Sequence, residues 1–156
     1  MNHFQSLLLG AFLATVGGFL SQEYAAQRDR QRRRNLLRIF LRHLVLQMNG
    51  IFGRFVETYQ RTNIASVLYL AELQNTRMGY DRNSDWIILF DEQLRQRIFD
   101  YFNREQLARV YIDLMIRLAG QPNFAHEYTN QQIAVKMQDI ANLQALGEDI
   151  LRRLGE

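Results

Sequence analysis

The stretch LLLGAFLATVGGFL, residues 7–20, and the run RDRQRRR after it, residues 28–34, set the reading of this chain. From Phe4 to Ser21 there are 18 residues without a charge, and the next charge is Glu23. A membrane-spanning helix needs roughly 17–25 such residues, so the stretch suffices at the short end. Its apolar residues run all round a helix rather than along one stripe, which argues against a helix lying on a soluble core. A cleaved secretory signal carries positive charge before its apolar core, whereas Met1–Gln5 has none and the arginines follow. The sequence therefore predicts a transmembrane anchor over residues 1–24.

The arginines give the anchor a direction. Residues 22–42 carry seven arginines against Glu23 and Asp29. The positive-inside rule then places the N-terminus outside and residues 25–156 in the cytoplasm, in a bacterial inner membrane. No Pro or Gly interrupts residues 22–34, so the anchor helix is expected to continue through an arginine-rich juxtamembrane helix, residues 25–42. There Arg28, Arg30, Arg32, Arg33 and Arg34 are candidates for contact with anionic lipid head groups, at ~1 kcal/mol each. The remainder, residues 43–156, holds eleven arginines and Lys136 against fourteen acids. The basic character is thus local, and no nucleic-acid partner is expected.

Inside the anchor Ser6, Gly10, Ala14 and Gly18 recur every four residues and share one helix face. Small residues at that spacing let two helices approach closely in lipid, so this face is a candidate for contact with itself or another membrane protein.

Residues 43–156 read as a helical bundle. The whole chain has one proline, Pro122, and nine glycines, too few breakers for a many-turned β fold. Leu37, Leu41, Leu44, Met48, Ile51 and Phe55 alternate spacings of four and three, a core-facing seam. Gly50 and Gly53 fall within it and mark a kink or a close helix contact. A break is expected near Thr62-Asn63, followed by a helical pattern through Ile64, Val67, Leu68, Ala71 and Met78. GYDRNSD, residues 79–85, reads as a loop. WIILF, residues 86–90, reads as a helix start capped by Ser84 or Asp85. Asp91–Phe102 is expected to turn Leu94, Ile98, Phe99 and Phe102 inward. Asn103 with Gln106 looks like a capping box opening another helix, with Leu107, Val110, Tyr111, Leu114 and Leu118 inward and Gly120 and Pro122 at its end. Thr129 with Gln132 opens the last helix, whose stripe is Ile133, Met137, Ile140, Leu143, Ile150, Leu151 and Leu154. The prediction is an all-α protein with one N-terminal transmembrane helix continuing into a bundle of about four helices.

Chemistry-bearing patterns are sparse. The chain has no cysteine, which excludes disulfides, thiolate metal sites and a cysteine nucleophile. His3, His43 and His126 have no companion at a metal-binding helical spacing. Asp81, Asn83, Asp85 and Glu92 imitate a calcium loop, but its sixth position, Trp86, should be glycine. No phosphate loop or nucleophile motif is present. No enzyme activity, cofactor or metal is expected. In its order of features the chain resembles a loose class of small bacterial proteins with a short glycine-containing anchor, an RDRQRRR-like run and a helical domain. That resemblance carries a pattern only over residues 7–42 and implies no activity. The sequence thus points to a membrane-anchored interaction or accessory protein. A membrane-state or ligand-sensing regulator and a holin-like effector are the alternatives.

Overall fold

The computed structural model describes residues 3–62, 66–120 and 130–155, and only the backbone at residues 3–14, 86, 119, 120 and 130. Among these residues there are four α-helices and no strand: α1 (His3–Thr62), α2 (Val67–Asp81), α3 (Glu92–Gly120) and α4 (Asn130–Gly155), with a 3-10 helix over Ser84–Leu89. The all-helical reading is correct. The chain divides into two compact units, Met1–Leu36 and Leu37–Glu156.

The expected transmembrane helix finds no support among the described residues, where no helix is long and apolar enough to cross a membrane. Residues 7–14 of the apolar run lie outside the described side chains, and so do Ser6, Gly10 and Ala14. The expected chain break at Asn63, the Pro122 stop and the Thr129 cap lie outside the described residues; α1 ends at Thr62.

The second unit is built on the seam of α1. Leu37, Leu41, Leu44, Met48, Ile51 and Phe55 are all buried, as their spacing predicts, and Val45 and Phe52 widen the stripe. Burying a large aliphatic or aromatic side chain is worth about 1.5–3 kcal/mol, which makes this half of α1 the spine of the core. Gly50 and Gly53 do not break the helix. Gly53 instead admits α4, since a Cβ there would sit 3.2 Å from Gln144 Nε2.

Two helices present other faces than the sequence suggests. On α2 the inward residues are Leu73, Thr76 and Tyr80, while Val67, Leu68 and Met78 are exposed. Aromatic contacts select this phase: Tyr80 stacks on Phe102 with ring centroids 3.6 Å apart, and Tyr69 meets Phe55 edge-on. Ser66 caps α2 by accepting from the Leu68 N–H.

On α3 no break occurs at Asn103, so one helix replaces the two expected. Asp91 caps it, its Oδ1 accepting from Leu94 N–H at 2.9 Å. The buried row is Leu94, Ile98, Tyr101, Phe102, Glu105, Ala108, Ile112 and Met115. Phe99, Leu107 and Val110, expected inside, are exposed by 43, 56 and 63%. The residues 86–90, expected to start an α-helix, instead close a 3-10 turn that buries Ile87 and Phe90. α4 follows its predicted stripe, with Ile140, Leu143, Ile150 and Leu154 buried.

Candidate functional site

Two polar clusters lie inside the bundle. The first joins α1, α3 and α4. Asn49 Nδ2 donates to the Gln144 carbonyl at 3.0 Å, and Gln144 Nε2 donates back to the Asn49 carbonyl at 3.2 Å. The Tyr101 hydroxyl donates to Asn49 Oδ1 at 2.8 Å. Tyr101 is fully buried, and burial holds its phenol far above the usual tyrosine range. Gly147 is what lets α4 come this close, because a Cβ there would lie 2.6 Å from Asn49 Nδ2. The three side chains bond to one another and to the backbones of α1 and α4, so the cluster fixes helix register.

The second cluster clasps α2 to α3. Glu105 has no exposed surface. Arg77 Nη1 reaches its Oε2 at 3.2 Å and the Phe102 carbonyl at 2.6 Å, while Arg77 Nε holds Asp81 at 2.8 Å. Arg109 Nε stands 2.8 Å from Glu105 Oε1, off the N–H direction, so that contact is coulombic rather than a hydrogen bond. Arg109 Nη1 donates to Gln74 of α2. The Arg77 guanidinium also covers the Tyr80 and Phe102 rings at 5.0 and 5.6 Å. Burial raises the Glu105 carboxyl above the usual glutamate range, against the opposing pull of Arg109 and Arg77. A perturbed carboxyl is a catalytic candidate only if a substrate reaches it. Among the described residues, the grooves flanking α4 are not lined by Glu105.

One of these grooves, of about 360 Å³, lies against α1, lined by Val56, Tyr59, Ile133 and Met137 among others. Two more, about 340 and 270 Å³, share Tyr111 and Asp139 and run between α3 and α4. Lys136 Nζ sits 4.1 Å above the Tyr111 ring there. Beside them lie the exposed Leu107, Val110 and Val135. The polar residues around this strip mix amides with charges: Asn103, Gln106, Gln131, Gln138 and Asn142 are exposed, and Arg104, Lys136 and Asp139 line the same grooves.

Of the residues singled out by sequence, Gly18 is exposed, and a Cβ added there would meet nothing within 4 Å. Arg28, Arg30, Arg32 and Arg33 are exposed and Arg34 is half-buried. His43 is exposed. Among the described residues no three His, Asp or Glu side chains come together in a way that would hold a metal ion. Asp81 and Asn83 of the calcium-like loop are spent locally, on Arg77 and on the Gly79 carbonyl. Asp149 binds Arg97 across to α3 at 2.5 Å and Arg153 of its own helix at 3.2 Å. No protein-family model matches the chain, and no curated protein or solved structure matches it significantly.

Proposed function

We propose that this chain is a non-enzymatic, membrane-anchored helical protein that associates with itself, the alternative partner being another subunit of a membrane complex. The observation that carries the reading is the outward strip of α3, Phe99, Leu107 and Val110, joined by Val135 of α4. Leu107 and Val110, three residues apart, share one face of α3, and grouped exposed apolar side chains mark a candidate interaction site. A polar and charged rim, here Arg104, Lys136 and Asp139, is typical of the edge of an interface. The rim carries both signs of charge and amides that both donate and accept, so it can pair with a second copy of itself. The anchor supplies the location: the uncharged run Phe4–Ser21 inserts with the N-terminus outside and the bundle in the cytoplasm, and the Ser6, Gly10, Ala14, Gly18 face adds a second contact within lipid.

The test is the mass of the full-length protein in detergent, by sedimentation, beside affinity capture from solubilised membranes. A dimer or larger is expected. Leu107→Asp/Val110→Asp should weaken association through the bundle, and Gly10→Leu/Gly18→Leu that through the anchor. A protein that is monomeric throughout and captures no membrane protein would end the proposal. The second reading, a ligand-sensing regulator, has the α1–α4 groove in its favour. At about 360 Å³ that groove is at the low end for a small-molecule site.

A further inference from the structure

The arginines of the two units differ in how they are neutralised. Of the thirteen arginines in the Leu37–Glu156 unit, nine form ion pairs with acids of that unit. In the Met1–Leu36 unit Arg33 pairs with Asp29 at 2.8 Å. Arg28, Arg30 and Arg32 are exposed and make no ion pair or hydrogen bond with any described residue. Their charge is open to an external anion.

Their placement on α1 says what shape that anion has. Arg28 and Arg32, four apart, share one face; Arg30, two residues from each, is ~160–200° round the helix, on the side it shares with Arg34. A nucleic-acid backbone or an acidic protein face lies along one side of a helix and leaves the opposite arginines unsatisfied. A lipid surface entered end-on surrounds the helix. From Arg28 to Arg34 the axis advances ~9 Å, comparable with the roughly 5–8 Å head-group layer of one leaflet. The apolar side chains are on the correct side: Val16, Phe19, Leu20 and Tyr24 of the same unit are exposed and precede the arginines. Tyr24, one turn before Arg28, is the amphipathic aromatic that favours a membrane boundary. Every cation in the collar is arginine, whose planar fork binds phosphate through two hydrogen bonds where lysine offers a point charge.

We infer that Arg28, Arg30 and Arg32 form a collar that binds the phosphates of anionic phospholipids around a helix entering the membrane end-on. This rests on the anchored reading above and adds its ligand. The experiment is flotation of the full chain with vesicles of phosphatidylcholine alone or mixed with phosphatidylglycerol. Variants are Arg28→Gln/Arg30→Gln/Arg32→Gln and the matching triple lysine, all at exposed positions. At about fivefold per arginine, the wild type should prefer the anionic vesicles over the glutamine variant by about 100-fold, with the lysine variant between them. Equal preference in wild type and glutamine variant overturns the inference, and a lysine variant equal to wild type overturns the assignment to phosphate. Wild type that floats equally with both vesicles leaves the anchor standing and removes the collar; flotation with neither removes both. Duplex DNA that strips the protein from anionic vesicles at equal phosphate concentration makes nucleic acid the ligand and refutes the lipid.

Discussion

Replacing Gly147 with alanine isolates the polar cluster at the centre of the bundle. Gly147 lies within α4, where alanine is ordinarily favoured over glycine by about 1 kcal/mol. Propensity alone therefore predicts a more stable protein. The structure predicts the opposite. The new Cβ would lie 2.6 Å from Asn49 Nδ2 and 2.8 Å from Asn49 Cγ, inside any real contact distance. Asn49 cannot swing aside without loss, because its amide is held at both ends, by the Gln144 carbonyl and the Tyr101 hydroxyl. Displacing it forfeits two hydrogen bonds at roughly 1 kcal/mol each and strands a buried Tyr101 hydroxyl at about 1–3 kcal/mol more. After the helix-propensity gain, Gly147→Ala should destabilise by about 2–4 kcal/mol.

Urea unfolding of the full chain, followed by circular dichroism, measures the change. The informative comparison is the same substitution in an Asn49→Ala background, where the obstructing side chain is gone. There alanine at 147 should recover its propensity and stabilise by about 1 kcal/mol, giving a coupling of about 3–5 kcal/mol between the two sites. A stabilising Gly147→Ala in the wild type, or an equal cost in both backgrounds, would refute the close-approach argument.

Two further predictions concern the clasp. Because burial raises the Glu105 carboxyl in the folded chain, the folded state takes up its proton at a higher pH than the unfolded state. Glu105's contribution to stability is therefore most favourable below the ordinary glutamate value of 4.5 and declines as pH rises through the folded value. Glu105→Gln should remove that decline, so urea midpoints of wild type and variant compared across pH must diverge with that sign. Arg77→Ala leaves Glu105 buried beside Arg109 alone and should cost about 3 kcal/mol or more, whereas Arg104→Ala, which breaks the exposed pair with Asp100, should cost under about 1 kcal/mol. Similar costs for the two would mean that the clasp is no more than a surface pair.

The readable parts of this fold are those where aliphatic residues alone carry the phase. The α1 seam from Leu37 to Phe55 and the α4 stripe from Ile140 to Leu154 come straight from spacing. The phase of α2 is set by Tyr80 and Thr76, residues that a count of apolar side chains passes over. Glu105 is invisible for the same reason: glutamate is almost never fully buried unless paired, and its pairing with Arg77 of α2 spans 28 residues. The arginine collar was legible because a charge run needs no tertiary information. The unequal pairing of arginines between collar and bundle was not, since ion pairs are made in space.

α3 is the instructive failure, because it has two apolar faces and only one can be inside. One phase buries Leu94, Ile98, Tyr101, Phe102, Ala108, Ile112 and Met115 along most of the helix. The other gathers Phe99, Leu107, Val110, Leu114 and Leu118 but places Asn103 and Gln106 in the middle. The first phase must bury Glu105, and two arginines offset that cost. Leu107→Asp/Val110→Asp decides between the phases independently of any partner. In the observed phase both positions face solvent, and each aspartate should shift monomer stability by no more than about 0.5 kcal/mol while association falls. In the other phase two unpaired carboxylates would enter the core, at several kcal/mol, and the bundle would unfold before any question of association arose. Urea unfolding at a concentration where the chain is monomeric separates the two. An unfolded variant would return Leu107 and Val110 to the core and take the outward strip, and the self-association built on it, with them.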